Sequence, residues 1–78
     1  MSELKEYDHV RVVSLKSATL SSSELIRAPE IGDEGAILME IGSNVFIVES
    51  VAKDGSPIWM YDFHGSDLEL ISRPDPRA

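Results

Sequence analysis

Residues 35–51 read GAILMEIGSNVFIVESV, and this stretch decides the fold because it has the pattern of two β-strands joined by a tight turn. Gly42, Ser43 and Asn44 stand at its centre, and glycine and asparagine tolerate the positive φ that a two-residue hairpin loop requires. The loop is either Gly42-Ser43 or Ser43-Asn44. These choices differ by two residues in register, so both leave the same side chains on the same face.

The two faces of this predicted hairpin differ in charge. One face is apolar and contains Ile37, Met39, Ile41, Phe46 and Val48. The other face contains Glu40 and Glu49 together with Leu38, Val45 and Ile47. Because an unpaired buried charge is strongly destabilising, we expect the glutamates to face solvent and the first set to form part of the core.

Size and composition restrict the possible functions. A chain of 78 residues forms one small domain with a thin core. Fourteen acidic against seven basic residues give a net charge of −7, and nucleic-acid binding depends on lysine and arginine, so we expect no nucleic-acid partner. The sequence has no cysteine, which fits a reducing cytoplasm. It also lacks the signal-peptide pattern and the run of about 18 apolar residues that a membrane span needs.

The remaining turn signals divide the chain into strands. Alternation and turn residues predict five strands, at residues 7–15, 35–42, 45–52, 57–63 and 68–71. In the first strand, Val10 and Val12 are expected to point inward. We predict an all-β fold, a small five-stranded SH3-like barrel over residues 7–72, with flexible ends at 1–6 and 73–78.

A long connection, residues 16–31, follows the first strand. Ser21 and Glu24 have the spacing of a capping box, which predicts one or two helical turns there. Pro29 would end such a helix. A connection of this length is unusual in a small barrel and is typical of functional or mobile loops.

Three aromatic residues alternate along the fourth strand, and their direction depends on the turn before it. A two-residue turn at Asp54-Gly55 places them in the core, with the pairs Ser50–Trp59, Val48–Tyr61 and Phe46–Phe63. A three-residue loop over 53–55, with Gly55 left-handed, slips the register by one and turns them outward. The first alternative is favoured, because it leaves Asp62 and His64 facing solvent.

Candidate chemistry is sparse. Asp62 and His64 share one side of a strand, and Asp67 and His9 are further oxygen and nitrogen donors, but a metal site needs three or four converging ligands. A Ser66, His64 and Asp62 triad lacks an oxyanion hole and a nucleophile elbow. Gly32-x-x-Gly35 leads into a strand rather than a helix, unlike a phosphate-binding loop. We therefore predict no catalytic residue, no metal and no cofactor.

The pattern around the first and second strands resembles that of SH3-like barrels of the KOW type. An acidic residue with alternating valines, Asp8, Val10 and Val12, is followed by Gly-x-x-Gly and an apolar strand, here Gly32, Gly35, Ile37 and Ile41. The chain is also similar to small bacterial SH3-like domains of unknown role. The long insert and the missing basic residues depart from the KOW form.

A second resemblance is to the plasmid-encoded, trimethoprim-resistant dihydrofolate reductases, which are SH3-like tetramers. Val48-Glu49-Ser50, Tyr61 and the closing Leu68-Glu69-Leu70-Ile71 carry this likeness. In that family a Val-Gln-Ile-Tyr strand lines a central pore and holds folate and NADPH. Here Ile58-Trp59-Met60-Tyr61 stands at that place, so the glutamine amide is missing.

These observations predict a non-enzymatic binding domain that acts through self-association or a protein partner. The expected interface is the fourth strand, whose two faces are both apolar, with the residues Ile58, Trp59, Met60, Tyr61 and Phe63. If the aromatic residues are buried, the outward set is Ile58 and Met60 with Leu38, Val45 and Ile47. The alternatives are a pore-forming enzyme of the reductase kind and an acidic inhibitor, such as an antitoxin or a nucleic-acid mimic, of a basic partner.

Overall fold

The protein is all-β over the residues that the computed structural model describes, 4–21 and 26–74, which contain no α-helix. Its strands are β1 (His9–Val12), β2 (Thr19–Leu20), β3 (Glu34–Gly42), β4 (Val45–Val51), β5 (Pro57–His64) and β6 (Leu68–Ser72). A 3-10 turn, Gly65–Asp67, precedes β6. All pairings are antiparallel. The strand order β2-β5-β4-β3-β1-β6 makes one open sheet with β2 and β6 at its edges.

The all-β prediction is confirmed, but the described sheet has six strands rather than five. The additional strand, β2, lies within the long connection and pairs with Asp62 and Tyr61 of β5. The strand pairings form one open sheet. The predicted capping box lies partly outside the described residues, since Glu24 is not among them.

Strand β1 is shorter than the predicted 7–15. Tyr7 has a φ of 72°, which is outside strand geometry. At the other end, Val13 donates a backbone hydrogen bond to the carbonyl of Asp67, at 2.9 Å, outside the β1 ladder. Within the strand, Val10 and Val12 are fully buried, as the alternation predicts.

The core lies on one face of the sheet and takes residues from five strands, all except β2, and from the chain before β1. Its buried apolar members are Leu4, Val10, Val12, Ile37, Phe46, Val48, Trp59, Phe63 and Leu68. The ring of Trp59 packs edge-on against Tyr61 and Phe63, with centroid distances of 6.3 and 5.8 Å. Edge-on aromatic pairs of this kind add to the stabilisation from burial alone.

The β3–β4 hairpin contains both of the registers that the sequence allows. It turns at Ser43-Asn44, where Asn44 has a φ of 62°, and Gly42 pairs with Val45. Further from the turn, Ile37 pairs with Val48, which is the register of a Gly42-Ser43 loop. Two irregularities in β3 join these registers, one between Ile37 and Met39 and one between Glu40 and Gly42.

These irregularities change the faces of the side chains after Ile37, and Glu40, predicted on the face opposite the core, pairs with the buried Phe46. Met39 pairs with Ile47 instead of following Ile37 into the core, and both Met39 and Ile41 are 46% exposed. The prediction that they share the inner face is wrong, because strict alternation holds only while the pairing is continuous. Ile37, Phe46 and Val48 are buried as predicted.

The β4–β5 hairpin reaches the favoured register by another route. Its pairs are Ser50–Trp59, Val48–Tyr61 and Phe46–Phe63, as predicted. The turn is not the predicted two-residue one, since the backbone N–H of Ala52 donates to Ser56 and the loop is 53–55, with a φ of 91° at Gly55. An irregularity next to Ile58 then shifts the register back by one residue.

The long connection is attached to this irregularity. The backbone N–H of Ile26 donates to the carbonyl of Ile58 at 2.7 Å. Asp33 accepts hydrogen bonds from both terminal nitrogens of Arg27, at 2.7 and 3.1 Å, and from Trp59 Nε1 at 3.0 Å. The Arg27 guanidinium, aided by Trp59, holds the pKa of Asp33 below its ordinary value although partial burial raises it. These bonds anchor the connection at two places.

The two ends of the described chain are held together by one buried carboxylate. The side chain of Asp8 is fully buried and accepts hydrogen bonds from Arg73 Nε at 2.9 Å and from Arg73 Nη2 at 3.0 Å. The backbone N–H of Lys5 donates to the same carboxylate at 2.9 Å, and Leu4 is buried in the core. Leu4 and Arg73 lie in the segments predicted to be flexible ends, but both are part of the folded structure.

Candidate protein-binding face

The side of β3–β5 opposite the core, called here the outer face, is largely apolar. Alternation around the buried residues of β4 and β5 directs Val45, Ile47 and Met60 to this side, and each is partly exposed. Met39 joins them through its pairing with Ile47. These side chains do not belong to the core cluster. The outer face is therefore a second apolar surface of the sheet.

Acidic residues are placed among these apolar side chains. The residues directed outward include Glu49, which pairs with Met60, and Asp62, which pairs with Ile47. The four side chains occupy the corners of a square on two adjacent strands, with acidic and apolar residues at alternate corners. Glu49 and Asp62 are diagonal neighbours, a relation that separates Cα atoms by roughly 7 Å.

No lysine or arginine is present in β3, β4 or β5. The three strands contain four acidic residues, Glu34, Glu40, Glu49 and Asp62. On β3, the side chain of Glu40 accepts a hydrogen bond from the backbone N–H of Asn44 at 3.1 Å. Glu40 pairs with the buried Phe46 and so is not on the outer face, whereas Glu49 and Asp62 are. These two carboxylates make the potential over the outer face negative, and no basic residue of β3, β4 or β5 offsets it.

Asp62 has an oxygen with an unmet hydrogen-bonding requirement. Its Oδ1 is buried and has no hydrogen-bond partner among the described residues. Desolvating a carboxylate oxygen without a donor is unfavourable. The other side of Asp62 faces Thr19 of β2, whose hydroxyl donates to the carbonyl of Ser17 instead.

A cavity of about 480 Å³ lies at the β1 side of the outer face, lined by His9, Glu34, Gly35, Ala36, Glu49 and Val51. In it, His9 Nε2 is 3.2 Å from Glu34 Oε1, and Arg11 Nη2 is 3.4 Å from Glu34 Oε2. Glu34 thus has two basic neighbours, whereas the side chain of Glu49 has no hydrogen bond or ion pair with any described residue. The unneutralised charge of this cavity is that of Glu49.

The predicted interface residues are separated by the structure. Trp59 and Phe63 are fully buried, and Tyr61 is partly buried and packs against the core. Ile58, expected outward, also packs against the core cluster, because it lies at the register shift of β5. Of the five predicted interface residues, Met60 lies on the outer face. Val45 and Ile47, which were predicted to face outward beside it, lie there too.

Sequence reasoning missed Met39 and the special state of Asp62. Met39 carried no outward signal, because both turn alternatives place it with Ile37. Asp62 was assigned correctly to the solvent side, but an unpaired buried oxygen depends on the packing of neighbouring strands. The acid–apolar alternation along β4 and β5 was the signal that located the face.

The residues considered for catalysis have structural contacts. His64 Nδ1 accepts a hydrogen bond from the backbone N–H of Ser66 at 3.2 Å and lies 2.9 Å from Ser66 Oγ, so it caps the 3-10 turn. Asp67 accepts hydrogen bonds from the hydroxyl and the N–H of Ser17, at 2.6 and 2.8 Å. Burial raises the pKa of Asp67, but the bonds from Ser17 and Ser14 outweigh it and the pKa is lowered.

Two further features bear on function. Among the described residues, no group of three or more histidine, aspartate or glutamate side chains is placed to hold a metal ion. No helix in the same part of the chain is long and apolar enough to cross a membrane.

In comparisons with protein-family models, curated proteins and solved structures, this chain has no significant match.

Proposed function

We propose that the chain is a non-enzymatic SH3-like small barrel that acts by binding another protein through its outer face. Contacts between the two edges of the sheet support the barrel. Ser17, just before edge strand β2, hydrogen-bonds to Asp67, just before edge strand β6. The resemblance to KOW-type barrels supports the same architecture.

The apolar character of the outer face carries the proposal. Met39 is 46% exposed although it lies beside Ile47 in the sheet, and Val45 and Met60 extend the surface on either side. Contiguous apolar surface on a soluble domain is characteristic of an interaction site. Methionine is well suited to such a surface because its flexible side chain adapts to a partner.

The surroundings of the aromatic strand favour binding over catalysis. The reductase-type alternative needs an amide that reaches folate and NADPH from this strand. At the matching positions, Trp59 is buried with its Nε1 bonded to Asp33, and Met60 has no hydrogen-bonding group of that kind. The nearest serine–histidine pair, Ser66 and His64, serves as a turn cap.

Site-specific photo-crosslinking tests the proposal. A benzophenone side chain is introduced in place of Met60 on the outer face or, as a matched control, in place of Ile71, an exposed aliphatic residue of β6. The proteins are expressed at their natural level in cells that carry the gene. We expect a discrete cross-linked product from position 60, its loss when Ile47→Asp is added, and none from position 71.

Circular dichroism and cooperative urea unfolding of Ile47→Asp check that the variant is folded, since Ile47 lies outside the core. A product of twice the chain mass would identify a second copy as the partner. The absence of a product at position 60, or equal products at both positions, contradicts binding through the outer face.

A further inference from the structure

We infer that the outer face binds an amphipathic helix whose apolar stripe is flanked by lysine or arginine, and that the partner is a different protein rather than a second copy of this chain. This inference rests on the proposed function and specifies the chemistry of its partner. Three observations support it: the charge pattern of the face, the unpaired oxygen of Asp62, and the occupation of the β5 edge by β2.

Charge disfavours a symmetric pairing of two outer faces. In such a dimer the carboxylates of Glu49 and Asp62 would meet either their own copies or the apolar side chains of Ile47 and Met60. The first arrangement opposes like charges and the second buries unpaired ones, and both are unfavourable. Three arginines that a second copy would offer, Arg11, Arg27 and Arg73, are already paired with carboxylates of their own chain.

Asp62 indicates what the partner must supply. Its Oδ1 lacks a donor within the described part of the chain, while the residue as a whole is partly exposed. No described residue forms an ion pair with Asp62, so a cation that approaches its exposed side compensates a carboxylate charge that the chain itself leaves unpaired. A lysine ammonium or an arginine guanidinium provides charge-assisted hydrogen bonds of the strongest kind.

The second cation has a place beside Glu49. Glu49 is a lining residue of the 480 Å³ cavity and, unlike Glu34, forms no ion pair with the described residues. The cavity also has apolar walls at Ala36 and Val51. A long basic side chain can pack its methylene groups against these walls while its charged end reaches the carboxylate.

The geometry favours a helix over a strand. A strand would bind by adding to a sheet edge, but the edge of β5 is taken by β2 and by backbone bonds from Ser21 to Met60 and from Ile26 to Ile58. β3 and β4 are interior strands. A helix covers the face of a sheet, and residues three or four apart on it are about 5–6 Å apart. This spacing approaches that of the diagonal Glu49–Asp62 pair.

Synthetic peptides test this chemistry without knowledge of the natural partner. The probe is an 18-residue Leu/Lys peptide with leucines at helical spacing along one stripe. The controls are a Leu/Glu peptide of the same pattern and a Leu/Lys peptide of the same composition with the leucines scattered. Binding to the full chain is followed through the labelled methyl groups of Met39, Ile47 and Met60, and affinity is measured by calorimetry.

We expect the patterned Leu/Lys peptide to shift these methyl signals and to bind roughly tenfold more tightly than either control. Asp62→Asn and Glu49→Gln should each weaken binding roughly tenfold. The matched control is Glu6→Gln, which removes the same charge from an exposed residue of the N-terminal turn and should change the affinity less than about twofold.

The inference is overturned if Glu6→Gln weakens binding as much as Asp62→Asn, because net charge alone would then explain the affinity. Equal binding of the Leu/Glu peptide, or unchanged methyl signals, also overturns it. If these peptides do not bind while the position-60 cross-link persists, the choice of partner is wrong and the binding face stands. If the cross-link is also absent, both proposals fail.

Discussion

Removal of Arg73 should destabilise the fold far more than its position at the end of the described chain suggests. Arg73→Met retains much of the apolar stem and removes the two guanidinium bonds to Asp8, leaving a fully buried carboxylate with the Lys5 backbone bond alone. Breaking a buried ion pair costs roughly 3–5 kcal/mol. The Arg73 side chain is 45% exposed, so solvent screening lowers the expected loss to about 2 kcal/mol.

Urea denaturation followed by tryptophan fluorescence measures this loss, because the chain has one tryptophan and Trp59 is buried. Domains of this size have a free energy of unfolding of about 4–12 kcal/mol, and urea slopes are about 1 kcal/mol/M. The midpoint should therefore fall by about 2 M.

A double-mutant cycle with Asp8→Asn isolates the Asp8–Arg73 contact from other contacts of Arg73, and its coupling energy should be about 1–2 kcal/mol. A midpoint within about 0.5 M of the wild type, or a coupling energy near zero, would refute the assignment of Asp8 as a buried, arginine-dependent carboxylate.

Three further predictions follow from the same structure. Gly35→Ala should destabilise the protein by about 1–3 kcal/mol, because its Cβ would lie 2.7 Å from the backbone oxygen of Glu49; a wild-type melting temperature would contradict this. Asp67 has a lowered folded-state pKa, so its contribution to stability is present above the unfolded pKa of about 4 and is lost as the pH falls through the folded value. Urea midpoints should be flat between about pH 8 and 5 and fall below about pH 4, with a smaller fall in Asp67→Asn. Finally, purified protein should show no dihydrofolate-dependent oxidation of NADPH, since Trp59 offers no amide to these ligands; measurable turnover would contradict the proposal of a non-enzymatic role.

The long hairpin strands were predictable because their side chains alternate and their turns contain residues with positive φ. The burial of Trp59 and Phe63 and their pairing with β4 were predictable because the polar residues Asp62 and His64 alternate with them and were expected to face solvent. The path to this register was not predictable from local signals. It includes a shift at Ile58, whose carbonyl is bound by Ile26, a residue more than thirty positions away.

Two other features depended on tertiary contacts. Strand β2 has two residues, too few for alternation to be visible, and it forms because β5 offers an unpaired edge. The inner assignment of Met39 failed because the pairing of β3 shifts twice within nine residues. For the candidate site, the outward direction of Ile47 and Met60 was available from the sequence, whereas the isolation of Asp62 Oδ1 required the packed structure.

The β4–β5 hairpin contains two extra residues whose effects on the strand register cancel. The extra residue in the loop at 53–55 would turn Trp59 and Phe63 out of the core, and the extra residue at Ile58 turns them back. The number of residues in the loop and the number in β5 therefore cannot change independently of each other. A one-residue deletion in the turn becomes tolerable only when the chain also loses the extra residue in β5, and that second loss removes the carbonyl on which Ile26 anchors the long connection.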